Sequence, residues 1–416
     1  MSSFEFVAAT LLLVSLLGML NHRYIKLPPT IGLMAGSLVL SLIILLADRL
    51  ISALDLRQSW LQILESTDMP HVFLDRLLAF MLFAGSLHVD VDQLIERKWT
   101  VLLLATLSVA LATLLYGVGI YIILGGTVPL AWCLTLGAVL APTDPIAVGG
   151  LLRDAGLPAG MLAIVNGESL FNDGVAVVLF GAMLLLATGQ TTSSSELLIE
   201  LLQEGGGGAL LGFITGYIAY RALRLVDDPT LELTITLALV TITYSVASQI
   251  HVSGPLAVVV AGLLTGHHAT RFAMTDASRE QVIQFWDLMD SLLNAVLFLL
   301  MGFALLSVEL SPSLLFAAVA GVVLAMLTRL VSVSLPIAML LFSRAPKTKR
   351  IAILTWGGLR GGISIAMVLA LEPSLYRATM LAICYAVVVW TILVQGLTMP
   401  ALVRRLYPPA TEEVPR

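Results

Sequence analysis

The sequence predicts an all-α polytopic membrane protein of about thirteen transmembrane helices, and three observations predict it. Hydrophobic residues fill 58% of the 416 positions and charged residues only 12%, where soluble domains carry about 25% charged residues. Apolar runs long enough to cross a bilayer recur along the whole chain, separated by short polar or turn segments. The positive charges sort between alternate connecting segments. A net charge of -5 gives no basic excess of the kind that binds nucleic acid. Cys133 and Cys384 lie in apolar runs without metal-ligand spacing and read as packed thiols.

The first run, residues 4–21, lacks a basic start and carries Glu5, so it reads as a retained helix rather than a cleaved signal. Further runs follow at 30–47, 71–88, 100–124, 129–151 and 160–188. The second half continues with 206–226, 231–250, 254–267, 281–306, 313–342, 350–371 and 377–402. Only RRLYPPATEEVPR follows, so the plan is one membrane domain, 1–403, and a short tail, 404–416. With the N-terminus outside, sixteen Lys and Arg fall on inner segments, among them Arg23, Arg97, Lys98, Lys349 and Arg404. Four, Arg49, Arg57, Arg76 and Arg377, fall outside, and Arg329 and Arg360, inside spans, complete the 22. That bias predicts an odd number of spans in the cell membrane, with the C-terminus cytoplasmic.

A charge at the bilayer centre costs about 2.5–3.5 kcal/mol on insertion scales, which makes intramembrane charges functional candidates. In the fifth span, APTDPIAV places Asp144 between Pro142 and Pro145. Two prolines three apart unwind a helix and free carbonyls, tolerated only where backbone lines a cavity or is covered by protein. Thr143 adds a hydroxyl there; a plain proline kink is the competing reading. In the sixth span, NGESLFNDGVAVVLF places Glu168, Ser169, Asn172 and Asp173 within one arc of about 140° and about 7.5 Å of rise. A buried structural network is the competing reading, weakest for Asp173. In the twelfth span, GGLRGGISIAMVLAL sets Arg360 among Gly357, Gly358, Gly361 and Gly362, which weaken the helix and admit close approach. A buried guanidinium needs a carboxylate, and Glu168, at similar depth, is the predicted partner. For Arg329 in the eleventh span the sequence offers Asp287 or Asp290, a lipid headgroup or a subunit contact, and no chemistry.

The two interrupted spans stand seven apart, which makes spans 1–6 and 8–13 inverted repeats. Interrupted helices at matching positions of such repeats point to a secondary transporter's binding site. Half-helix ends there present partial charges that Asp144 and Arg360 balance.

Taken together, APTDPIAV, NGESLFNDGVAVVLF and GGLRGGISIAMVLAL, in this order, resemble the NhaP/NHE branch of the cation:proton antiporters over essentially the whole membrane domain. The resemblance implies a thirteen-helix fold and a homodimer. It also implies a transport core, roughly spans 4–6 and 11–13, and an interface part, roughly spans 1–3 and 7–10. Asp173 resembles the acid that takes the cation or the proton, and Thr143 and Ser169 its oxygen donors, so Na+ would sit at these three. Asn172 resembles the residue holding the crossed helices, and Glu168 and Arg360 the buried ion pair. One departure is GSLHVDVD, which puts His88 where many relatives carry an acid; a solvated interfacial residue is the reading here.

These residues imply exchange by competition. A partly desolvated Asp173 can be neutralised by a proton or by a cation, but not by both. If only the neutralised form crosses, one cargo must return for the other. No G-x-x-x-x-G-K-[ST] run appears, so a gradient drives transport and no cofactor is implied. Na+ is the predicted cation, with Li+ compatible and K+/H+ exchange the alternative. A cation channel, or an intramembrane aspartyl protease using Asp144 and Asp173, leaves Asn172 and Arg360 without a role.

Overall fold

The computed structural model describes residues 3–50, 58, 77–144, 152–153, 155–189, 194–269, 274–308, 311–340, 347–372 and 374–408. Among these residues all regular structure is helical. The first half comprises α1 (Ser3–Leu20), α2 (Pro29–Leu50), α3 (Leu78–Leu87), the short α4 (Val91–Glu96) and α5 (Lys98–Ile123), then α6 (Leu130–Val139) and α7 (Ala159–Ala187). The second half comprises α8 (Ser194–Leu223), α9 (Pro229–Gln249), α10 (Gly254–Leu264) and α11 (Asp276–Phe303). It closes with α12 (Pro312–Met339), α13 (Lys347–Trp356), α14 (Gly362–Leu369) and α15 (Arg377–Leu406). Eight of the described helices are long and apolar enough to cross a membrane, and Leu78–Leu87, Leu130–Val139 and Gly254–His267 are shorter apolar pieces.

Local chemistry starts several of these helices. Asp228, Ser253 and Ser311 each accept an N–H from the first turn of α9, α10 and α12, and a proline follows each cap within two residues. The side chain satisfies an orphan donor, and proline's missing N–H costs nothing in the first turn. The seventh predicted span starts earlier than the hydropathy placed it, because polar 194–205 adds turns to α8.

Packing sorts the helices into two groups. α5, α6 and α7 pack on one another, and α12 packs on α5, α13 and α15. α2 packs on α11, and α10 packs on α3, α8 and α9. The groups meet where α7 lies against α10 and where α11 touches α14.

Both predicted interruptions fall beside this meeting line. α6 ends at Val139, three residues before Pro142, and 140–144 are not helical. Pro142 has no N–H for the carbonyl of Ala138 and its ring crowds that carbonyl, so the helix closes early. Pro145 lies outside the described residues. In the twelfth span the helix stops at Trp356 and restarts at Gly362.

Candidate ion-binding site

The two interruptions cross and satisfy each other. The Asp144 N–H donates to the Leu359 carbonyl at 2.8 Å, and Ser364 Oγ donates to the Val139 carbonyl at 2.7 Å. Arg360 Nη1 donates to the carbonyls of Ala141 and Pro142, each at 2.6 Å. In a continuous helix the Ala141 carbonyl would take the N–H of residue 145, which is a proline without one. Arg360 therefore supplies the donor that the sequence removes, and its charge sits at the negative end of α6. Its own N–H donates to Thr391 Oγ1 at 3.1 Å, from a π-turn, Thr391–Gly396, in α15.

Asp144 occupies the opposite pole. A β-carbon on Gly361 would lie 2.3 Å from Asp144 Oδ2. The acid thus sits against the N-terminus of α14, and only glycine admits it.

The arc on α7 closes over the unwound segment. Asn172 Nδ2 donates to Thr143 Oγ1 at 2.9 Å, and the Thr143 N–H lies a longer 3.4 Å from Asn172 Oδ1. Ser169 Oγ donates to the Thr143 carbonyl in a short contact. Thr143, Asp144, Glu168, Ser169, Asn172 and Asp173 are all buried. The structure therefore brings these six residues and Arg360 to one crossing. Asp173 differs from its neighbours. Only 7% exposed, it makes no hydrogen bond or ion pair with any described residue, and the charge of Asp144 acts on it. At the same crossing the Ser169 and Thr143 hydroxyl oxygens each keep a lone pair to spare. Among the described residues no group of three His, Cys, Asp or Glu side chains forms a resident metal site.

One predicted contact is corrected. Glu168 pairs with Arg329, Oε1 to Nη1 at 2.6 Å, and not with Arg360. The N–H bonds of Arg329 are not aimed at Oε1, so this is an ion pair by distance and charge rather than a directed hydrogen bond. Arg329 Nε donates to the Leu354 carbonyl at 3.2 Å, which ties α12 to α13. The physical reason is competition for Arg360: the freed carbonyls of the broken helix take its guanidinium. Arg329 is thereby moved away from its suggested partners, Asp287 and Asp290. Asp287 instead faces His88 at 2.8 Å. Arg329 and Thr391 are the residues that sequence reasoning missed. The available signal for Arg329 was its position as the second cation inside a span.

A family model described as sodium/hydrogen exchanger, transmembrane, matches residues 9–405. The chain belongs to the sodium/hydrogen exchanger family. Among its relatives, the Na(+)/H(+) antiporter NhaP of Pseudomonas aeruginosa is 41% identical over 412 residues, 97% of each chain. The Na(+)/H(+) antiporter NhaH of Halobacillus dabanensis is 30% identical over 335 residues, 79% of this chain and 81% of that one. The solved sodium proton antiporter MjNhaP1 of Methanocaldococcus jannaschii superposes with a TM-score of 0.76 over 98% of this chain and 99% of that one. At 19% identity that likeness is one of fold. Members of this family are secondary transporters, and the chain is a multi-pass membrane protein of the same kind.

Proposed function

We propose that the protein exchanges Na+ for H+ across the cell membrane, one for one, with the two cargoes competing for Asp173. The observation that carries this reading is the state of that carboxylate. It is buried and has no partner among the described residues, while Asn172, Ser169, Thr143 and Arg360 are all engaged at the same crossing. An unpaired buried charge is costly, so a proton or a cation is its natural complement. The relatives named as Na(+)/H(+) antiporters support those two cargoes.

In this reading, α5–α7 with α12–α15 form the moving core, and α1–α3 with α8–α11 form the interface part. Asn172, Ser169 and Arg360 hold the crossed segments so that Asp173 and the Thr143 and Ser169 oxygens present one site. The N-terminus faces outside and the C-terminus the cytoplasm. Lipid and a second copy of the chain cover the apolar exterior.

The test is proton movement in proteoliposomes driven in turn by Na+, Li+ and K+. Na+ and Li+ should each drive saturable counter-movement of protons, and Asp173→Asn should abolish it. Movement with K+ alone would replace this reading by K+/H+ exchange, and cation flux without proton coupling would replace it by a channel.

A further inference from the structure

A second polar surface faces the crossing from α11. Leu297 packs directly on Gly362, the first residue of α14. Asn294 lies three residues and Asp290 seven residues before Leu297, about 60° and about 20° from it around the helix. All three share one stripe, with Asp290 about 10 Å along it from the crossing. The charge of Asp144 reaches Asp290 across the line where the two helix groups meet.

The side chains on this stripe are incompletely used. Asn294 is 1% exposed. Its Nδ2 donates to the Asp290 carbonyl at 2.8 Å and to Asp290 Oδ1 at 3.0 Å. Those bonds fix the amide beside Asp290, and its Oδ1 has no hydrogen-bond partner among the described residues. A buried acceptor without a donor calls for a missing water or ion.

One turn further along, Asp287 is already matched. His88 Nε2 lies 2.8 Å from Asp287 Oδ1, and His88 Nδ1 lies 2.8 Å from the Ala84 carbonyl. Both ring nitrogens therefore face oxygen acceptors. Asp287 thus has a side-chain partner on α3, whereas the side chain that bonds Asp290 is the neutral amide of Asn294.

We infer that Asp290 and Asn294 form a second cation site, on α11, which a partly hydrated Na+ occupies on its way to or from Asp173. The donors are a carboxylate, the orphaned amide oxygen and water, a set suited to a hard monovalent cation. A carboxylate there also raises the local cation concentration next to the crossing. This inference rests on the antiport reading, because it presupposes cargo that reaches Asp173.

The experiment has two arms. In proteoliposomes at fixed pH, Asp290→Asn and Asn294→Leu should each raise KM for Na+ about tenfold, with a much smaller change in Vmax. In detergent, Asp173→Asn should keep a Na+-dependent rise in Tm beyond that of choline chloride at equal ionic strength. The added change Asp290→Asn should remove it. If Asp290→Asn does not fold, Asp290→Glu, which keeps the charge, should show a KM near wild type while Asn294→Leu does not. Unchanged KM in every folded variant, or no Na+-specific rise in Tm with Asp173→Asn, overturns the proposal. Wild-type protein that exchanges no cation for protons would sink the antiport reading instead, and the Tm arm would still read the site.

Discussion

Arg329 and Arg360 are both buried cations, 5% and 2% exposed, and each is neutralised differently. Arg329 has a carboxylate; Arg360 has carbonyl dipoles. Removing one partner of a buried pair typically costs about 3–5 kcal/mol, because the other charge is stranded. Arg329→Ala or Glu168→Ala alone should therefore lower the detergent Tm sharply, and the double apolar replacement should recover part of the loss. The parallel cycle between Glu168 and Arg360 should show a smaller coupling, because the charge of Glu168 acts on Arg360 without a direct contact; a coupling as large as that with Arg329 would contradict the geometry. A second expectation concerns Asp173. Protons and Na+ competing for one carboxylate require apparent KM for Na+ to rise as pH falls on the cation-binding side, while Vmax at saturating Na+ stays level. A fall in Vmax with constant KM would exclude simple competition. The acids on α7 were legible in the sequence because a charge in a membrane is rare and costly. The partner of Glu168 was not, because depth along a span says nothing about which way a side chain points around it.

At the scale of the element, the interrupted helices persist because each satisfies the other. Three main-chain carbonyls of the α6 side and one of the α13 side take donors across the crossing, so neither break leaves its polar groups in lipid. Glycine is what lets them meet. Gly361→Ala would place a methyl carbon 2.3 Å from Asp144 Oδ2 and 2.8 Å from its Cβ. Overpacking of this kind costs about 1–3 kcal/mol, and here it would push apart the two segments that shape the site. Transport should fall at least about tenfold, the kinetic equivalent of ~1.4 kcal/mol, with Tm reduced. Gly85→Ala on α3, where a β-carbon meets nothing within 4 Å, should change neither. Equal effects from both substitutions would show that helix propensity, not the crossing, is being measured. Pro142 and the glycine pairs made both interruptions readable in advance. The early end of α6 at Val139 and the cross-bonding of Leu359 with Asp144 were not, since they depend on two segments more than 200 residues apart meeting in space.

At the scale of the whole molecule, the stoichiometry follows from which charges cross the membrane. Arg360 is bonded to carbonyls of the α6 break, Glu168 is matched by Arg329, and Asp144 lies against the N-terminus of α14. All four belong to the group proposed to move, and their charges travel together in both directions. Asn172 cannot titrate. Asp290 stands on α11 in the other group, so its charge stays behind whatever cation it attracts. In the proposed exchange Asp173 alone changes state, neutral with a proton in one direction and neutral with Na+ in the other. On that proposal the moving group carries the same net charge both ways, and no current is expected. Moving one elementary charge through 100 mV is worth about 2.3 kcal/mol, close to a fifty-fold change in an equilibrium ratio, so the distinction is large. Proteoliposomes clamped by a diffusion potential, set with an ion the protein does not carry, should reach the same Na+ and H+ distribution at 0 and at about 100 mV. A distribution that follows the potential would mean a second carboxylate titrates within the moving group. Asp144, whose charge acts on Asp173, would then be the residue to replace by Asn. Restored independence from potential in that variant would identify it.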